Sequence, residues 1–398
     1  MQSAPSTPRS MNENPESCKL GPASLRDAGL FMYLTAHPSP YRVRAEQIFQ
    51  REKVMEEKVR ALIIGHGNIG KALPRHIEQQ GWSVAGVVRS SGFLCDLRGH
   101  ELRTHRSTGA RLYEEVAPSI AFLAIPTLDE GDSAFVHIEQ LLMAGIPVET
   151  CEKGVLSHLR FFEALRPLLG TRIGYAATVG GGTGMLDYVR SRLIGRTDVI
   201  VHAVANGSMN FITTYPGPFR QAAEEAFVRG YTEPGAISLL DVFNGEMKDT
   251  SQKIPILFNT CMHPDEFLSA SDIRLDLLDE GSLARLEDER AIRRYVVSFF
   301  PPGTSVEDEQ AADVIGGFDH RVGGWHIRAG FQRVDRNLVF EGRLPSGADN
   351  CAICCEGPFL EEEGRYRDGV YYCTGPGAGP DATAAAMVRD AKRLLGLS

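Results

Sequence analysis

The chain has 398 residues, 43% of them hydrophobic and 23% charged, with a formal net charge of −9. This is a globular composition with room for two domains, and an acidic balance without a basic run excludes nucleic acid and anionic membrane as partners. With no apolar run of membrane-spanning length and no leader-like N-terminus, the expected location is the cytoplasm and the expected partner a small molecule.

Residues up to about 30 are rich in Ser, Pro, Asn and Gly and lack periodicity, which predicts a flexible extension. From 43 to 59 the pattern is helical and highly charged, as in a solvated helix. Residues 59–73, VRALIIGHGNIGKAL, follow, and a buried-strand run ends there in Gly65-His66-Gly67-Asn68-Ile69-Gly70. Ile69, Leu73 and Ile77 then repeat at helical spacing. Strand, G-x-G-x-x-G and helix together point to a dinucleotide. Gly65 allows the tight turn, Gly67 lets backbone approach a pyrophosphate, and Gly70 lets helix pack on strand, with Asn68 and Ile69 opening the helix toward the phosphates.

A second strand is predicted over 83–88, ending at Arg89. An acid there would bind a ribose 2′-hydroxyl, whereas a guanidinium suits a 2′-phosphate. The expected cofactor is therefore NADP, with NAD as the alternative and a solvated loop residue as the bland reading of Arg89. Strand 120–125 closes at Pro126-Thr127, both placed beside the cofactor. Helix 133–144 and strand 146–150 follow, and the latter delivers Cys151-Glu152-Lys153-Gly154 at its C-terminal end. Alternating strands and helices predict a doubly wound parallel sheet, whose ligands bind beyond the C-terminal strand ends, where Lys153 stands.

Helix 157–169, strand 172–178 and a second glycine run, 179–184, lead into helix 185–193. That run lacks pyrophosphate spacing and reads as a hinge or a close helix contact. From Asp198 the chain turns β-rich, with a strand over 199–204 before Asn206-Gly207-Ser208-Met209-Asn210. Helix 238–258 carries Glu246, Asp249 and Lys253 on one face, and the last two also fit an ordinary exposed i, i+4 ion pair. The stretch 267–310 is acidic and helical in part. Strands are predicted at 325–334, 338–344, 351–355 and 370–373, then a third glycine-rich loop at 375–379, then a helix over 381–395 returning to a sheet.

Eight cysteines are too sparse for a disulfide scaffold. The group Cys351, Cys354, Cys355 and Cys373 invites a zinc reading, but on a strand Cys354 faces away from Cys351 and Cys355 and no histidine completes a tetrahedral set. Free thiols and no metal are expected.

From residue 59 to the C-terminus the chain resembles the homoserine dehydrogenase family. The resemblance rests on GHGNIG, CEKG, ATVGGG at 177–182, NGSMNFI at 206–212, GYTE at 230–233, the Asp249 and Lys253 pair, and GPGAGPDATAAAMVRD at 375–390. It implies a Rossmann domain, an α+β catalytic and dimerisation domain with a mixed sheet, and a homodimer or dimer of dimers. The corresponding spans are 1–58 for the extension and leading helix, 59–180, 181–374, and 375–398 for the closing helix.

The resemblance further implies reduction of aspartate 4-semialdehyde to L-homoserine by a nicotinamide cofactor. Lys153 and Lys253 become the active-site lysines, Asp249 the acid beside the second, and Glu233 the carboxylate for the substrate amino group. Gly207 and Ser208 line the substrate, Asp241 is the next acid on that side, and Gly377 and Gly379 stand with the cofactor. Hydride delivery leaves charge on oxygen, so a lysine with a lowered pKa is expected to donate the proton. Three departures stand out: Glu152 adds a charge beside Lys153, Ala176 replaces a carboxylate that helps hold a monovalent cation, and Gly235 stands where an acid is usual. The end of the chain at the closing helix predicts no direct feedback control through an appended module. Two rival readings are a same-fold enzyme for another amino-acid-derived aldehyde or oxo acid, and a silent nucleotide binder.

Overall fold

The computed structural model describes residues 59–397, apart from 103–104, 233–237, 263, 305–312 and 336. The predicted N-terminal extension, most of the leading helix, Glu233 and Gly235 lie outside the described residues.

The first sheet begins with β1, Arg60–Ile64, of which Ala61, Leu62, Ile63 and Ile64 are at most 1% exposed. Such near-continuous burial is what a parallel strand covered on both faces demands, and each large side chain contributes about 1.5–3 kcal/mol. Next come β2, Ser83–Val88, β3, Leu94–Cys95, β4, Ile120–Leu123, β5, Val148–Thr150, and β6, Ile173–Gly174. Their order in the sheet is β3-β2-β1-β4-β5-β6, parallel except for β3. The order reverses between β1 and β4, so the sheet opens a crevice beyond their C-terminal ends.

The second sheet has the order β14-β11-β7-β8-β10-β9. Its strands are β7, Val199–Val204, β8, Arg293–Phe300, β9, Ile315–Val322, β10, Trp325–Arg333, β11, Asp349–Glu356, and β14, Gly369–Pro376. A small separate hairpin joins β12, Phe359–Leu360, to β13, Arg365–Tyr366. Every pair in the second sheet is antiparallel rather than mixed. The β9–β10 turn shows why: Gly323 and Gly324, both at positive φ, make the two-residue connection that folds one strand back on the other.

Two helices tie the sheets together. The long helix Leu239–Cys261 packs against the short helix Gly154–Ser157 after β5 and against the helices Met185–Leu193 and Gly207–Thr214 around the second sheet. The closing helix Pro380–Leu394 returns to the first helix, Asn68–Gln79. There Ala384, Met387, Val388 and Ala391 share one apolar cluster with Ile63, Leu73, Ile77 and Phe122.

Four expectations change. The strand predicted over 172–178 shrinks to β6 because the Asp390 carboxylate accepts hydrogen bonds from the Tyr175 and Ala176 N–H groups, both at 2.9 Å, and turns the chain into a 3₁₀ bend. The helix predicted over 157–169 breaks at His158, which is extended, and ends in a 3₁₀ turn containing Pro167. At 338–344 there are turns, since Asn337 Oδ1 accepts from Val339 N and Arg343 donates to the Leu338 and Val339 carbonyls. Strands β8 and β9 were hidden in a charged stretch: Arg293 is fully buried but paired with Glu289 and Asp313.

Candidate active site

β1 runs directly into Gly65, whose φ is +100° and whose N–H donates to Val88 O at 2.9 Å. A Cβ there would stand 2.3 Å from Ala124 O, so the turn accepts only glycine against the end of β4. A Cβ on Gly70 would stand 2.2 Å from Gly65 O, which is the close helix–strand approach expected of the third glycine. Gly67 differs, having nothing within 4 Å of its Cβ position. No side chain caps the helix that starts at Asn68, with Ile69 and Gly70 in its first turn. Open backbone at Gly67 and an uncapped helix start are shaped to receive a phosphate.

Arg89 is exposed just beyond β2, and Gly99, at positive φ, leaves the room its guanidinium occupies. His66, inside the glycine loop, lies near Arg89 and Lys71. Burial, then those two positive charges, pull its pKa below the ordinary histidine value. Beyond β4, Pro126 is exposed, and Thr127 Oγ1 accepts Lys153 N at 3.3 Å.

At the end of β5, Thr150 Oγ1 accepts Glu152 N at 3.0 Å. The Glu152 carboxylate, 1% exposed, accepts Gly154 N at 2.6 Å and Val155 N at 3.2 Å. Its charge is thus engaged at the start of a short helix. This fixed turn sets Lys153 against the long helix.

Asp249 bridges two lysines, with Oδ1 2.9 Å from Lys153 Nζ and Oδ2 2.8 Å from Lys253 Nζ. Lys253 also donates to Ala205 O at 3.0 Å. The pair is therefore not an exposed surface pair: the Lys253 side chain is 12% exposed, and a second cation arrives from 96 residues upstream in fold-defined contact. Burial pushes the Asp249 carboxyl up, but the two ammonium groups overcome it and hold it well below the carboxylate range. Burial likewise pulls Lys153 down, yet the charge and hydrogen bond of Asp249 prevail, so its pKa is raised. The lowered lysine pKa expected from the sequence is corrected: the ion pair outweighs desolvation.

One turn earlier, Glu246 is 9% exposed. Asn206 Nδ2 donates to Glu246 Oε2 at 2.8 Å and to Glu246 O at 3.2 Å, while Asn206 Oδ1 accepts Met209 N at 2.8 Å and caps the next helix. Burial, then the Asp249 charge, push the Glu246 carboxyl up to about 7, with Asn206, Lys253 and Ser208 opposing. The i, i+3, i+7 spacing put Glu246 on this face. Its partnership with Asn206 was not legible, because it links the long helix to the cap of another helix across 40 residues.

Other predicted residues take different positions. Ser208 Oγ donates to Tyr231 O. Gly207 is a packing glycine, since a Cβ would stand 2.5 Å from Ala348 O and 2.8 Å from Ala378 Cβ. Gly377 N donates to Ala348 O at 3.1 Å, and Gly379, at φ +103°, lies beside the Tyr231 ring. Gly181 approaches Gly377 O, and Thr183 Oγ1 donates to Gly375 O at 3.1 Å, so the second and third glycine runs meet in close contact. Asp241 has another task from the one expected. It is exposed, and its carboxylate closes a capping box by accepting Ser238 N at 3.0 Å and Ser238 Oγ at 2.8 Å.

With this geometry in place, known proteins supply the decisive comparison: the profile of the homoserine dehydrogenase family matches residues 186–391, more than half of the chain. The chain belongs to the homoserine dehydrogenase family. It is 26% identical over 247 residues to the bifunctional aspartokinase/homoserine dehydrogenase 2 of Escherichia coli, a match spanning 56% of this chain but only 26% of that protein. It is 24% identical over 235 residues to a homoserine dehydrogenase of Methanocaldococcus jannaschii, covering 50% of this chain and 68% of that one. A hyperthermophilic archaeal homoserine dehydrogenase mutant, solved in complex with NADPH, shares the fold with a TM-score of 0.55 at 20% identity, over 86% of this chain and 99% of that chain. The homoserine dehydrogenase profile spans the long helix, so Asp249, Lys253 and Glu246 all lie inside the matched region, whereas Lys153 and the Gly65–Gly70 loop precede it. Among the described residues, no helix is long and apolar enough to cross a membrane.

Proposed function

We propose that the protein reduces aspartate 4-semialdehyde to L-homoserine with NADPH, reversibly. The observation that carries this reading is the Asp249 carboxylate bridging Lys153 and Lys253 beyond the end of β5. It leaves one net positive charge where an aldehyde oxygen becomes an alkoxide.

The dinucleotide fits this chain's own residues. Gly67 and the uncapped helix start would hold the pyrophosphate, and Arg89, with Lys71 and His66 nearby, would hold a 2′-phosphate. When bound, the nicotinamide supplies a hydride to the aldehyde carbon and is itself oxidised. Lys153 polarises the carbonyl and delivers the proton to the oxygen, completing the alcohol; in reverse it takes that proton back. Among the described residues its ammonium meets Asp249 alone, whereas Lys253 also holds Ala205 O. Asp249 is a positioning residue. It holds both ammonium groups in place, and its charge keeps Lys153 protonated across the neutral range. Ser208 and Glu233 complete the substrate side of this reading.

Initial rates of NADPH and NADH oxidation with purified protein and aspartate 4-semialdehyde test it, with Lys253→Ala alongside. Turnover that prefers NADPH and is abolished in the variant supports the reading. A protein that binds NADPH but does not turn over this aldehyde contradicts it.

A further inference from the structure

Resting on the nucleotide part of that reading, we infer that Asn350 is a positioning residue for the bound nucleotide: its buried amide finds hydrogen-bond partners when the 375–379 loop closes, and then holds that loop shut. Three observations carry this. The first is an orphan. Asn350, on β11 opposite Gly375 of β14, is fully buried, yet neither its Nδ2 nor its Oδ1 has a hydrogen-bond partner among the described residues. Burying an unpaired amide costs stability, so the residue serves something other than the stability of the free protein.

The second observation is what lies against it. A Cβ on Gly377 would stand 2.0 Å from Asn350 Cγ and 2.3 Å from both Nδ2 and Oδ1, so the amide lies directly beneath the loop backbone. The loop is anchored on both sides. At its start Thr183 Oγ1 donates to Gly375 O at 3.1 Å, and just past its end Asp381 meets Arg75 and His76 of the first helix, both at 2.8 Å. Between these anchors Gly377 N and Ala378 N share one acceptor, Ala348 O, at 3.1 and 3.2 Å. With glycine at 377 and 379 the intervening peptides can turn, and a turned peptide offers the amide a carbonyl or an N–H.

The third is place. The loop leads into the closing helix, which packs on the helix that starts at the Gly65–Gly70 turn. On its other side Ala378 N lies 2.9 Å from the Cβ position of Gly207, next to the segment whose Ala205 O accepts Lys253. The loop therefore runs from the nucleotide side of the site to the lysine side. A nucleotide that presses on it brings its peptide groups onto Asn350, and the hydrogen bonds formed there add to the affinity for the nucleotide.

The test is Asn350→Leu, which keeps the branched shape of the side chain and removes its polar atoms. Thermal unfolding without nucleotide should give a midpoint equal to or above that of the wild type, because an unpaired buried amide is gone. Calorimetric titration should show NADPH bound about tenfold more weakly, because the hydrogen bonds made on closure are gone as well. An asparagine with a purely structural role would do the reverse, lowering the midpoint and sparing the affinity. A lower midpoint in the free variant overturns the inference, and so does an unchanged NADPH affinity. Should Asn350→Leu fail to fold, hydrogen exchange of the wild type decides: the Gly377 and Ala378 amides should gain protection with NADPH, and equal protection with and without it overturns the assignment. None of these readouts uses the aldehyde. A wild type that binds NADPH without turning over aspartate 4-semialdehyde therefore overturns the proposed function alone, whereas one that binds no NADPH overturns both.

Discussion

The two ends of the site are built in opposite ways. At the glycine loop the chain removes side chains: Gly65 and Gly70 exist because a Cβ would collide with backbone at 2.3 and 2.2 Å, and Gly67 leaves a bare approach. At the far end everything is side chain: four ionisable groups, Lys153, Glu246, Asp249 and Lys253, stand together, and the two lysines hold Asp249 ionised. The first end is a steric device in which six residues close against the end of β4. The second is an electrostatic one that exists only once β5, β7 and the long helix have come together. Substitutions at the first should therefore change binding and fold, and those at the second should change rates and pH dependence.

The largest effect is expected at Asp249. Asp249→Asn should lower kcat about 10²- to 10⁴-fold, the range of a positioned proton donor. The alkaline limb of the pH–rate profile should also move to lower pH, because the raised pKa of Lys153 depends on that carboxylate. A lower kcat without that shift would mean that Asp249 acts only as scaffolding.

Next come the glycines. Gly65→Ala should cost about 1–3 kcal/mol of stability from backbone strain alone, besides NADPH affinity, as read by thermal unfolding and calorimetric titration. Gly67→Ala should spare stability, since its Cβ meets open space, and weaken only the nucleotide. Equal unfolding midpoints for the two variants would erase the distinction drawn between them. Arg89→Asp is expected to weaken NADPH about tenfold or more, from a charged contact, and NADH much less. Equal losses for both cofactors would remove the basis for preferring NADP.

The smallest effect concerns Glu149 on β5, which is fully buried beside the Asp390 carboxyl group. Burial, then the neighbouring Asp390 charge, raise its pKa well above the carboxylate range. The folded state thus keeps a proton that the unfolded chain has lost, and stability falls as pH rises above the ordinary carboxylate value. Glu149→Gln should melt higher than the wild type, with a gap that widens from pH 5 to 8. A pH-independent gap would place the effect in packing instead.

The same contrast explains what could be read without coordinates. β1, the GHGNIG turn and the helix after it were legible because their rules are local: burial on both faces, positive φ, close approach. Helix 185–193 and strand 199–204 were legible by periodicity. The Asp249–Lys253 pair was visible as spacing, but its meaning was not, since Lys153 joins it only through tertiary structure and reverses the expected direction of the lysine's pKa. Asp241 misled because an acid near a motif looks the same in sequence whether it faces a substrate or caps a helix. β6 was overpredicted because the Asp390 carboxylate that ends it lies more than 200 residues away. β8 and β9 stayed hidden because their charged residues pair after folding, Arg293 with Glu289 and Asp313, and Asp319 with His326 and Arg328.

The most direct test of the central claim is the single-turnover rate of NADPH oxidation by Lys153→Ala, saturated with NADPH and aspartate 4-semialdehyde, against the wild type. The account predicts a rate at least about 100-fold lower with NADPH affinity retained, because the proton donor to the carbonyl oxygen is gone. A variant that transfers hydride at the wild-type rate would contradict it and move the chemistry away from the Asp249 bridge.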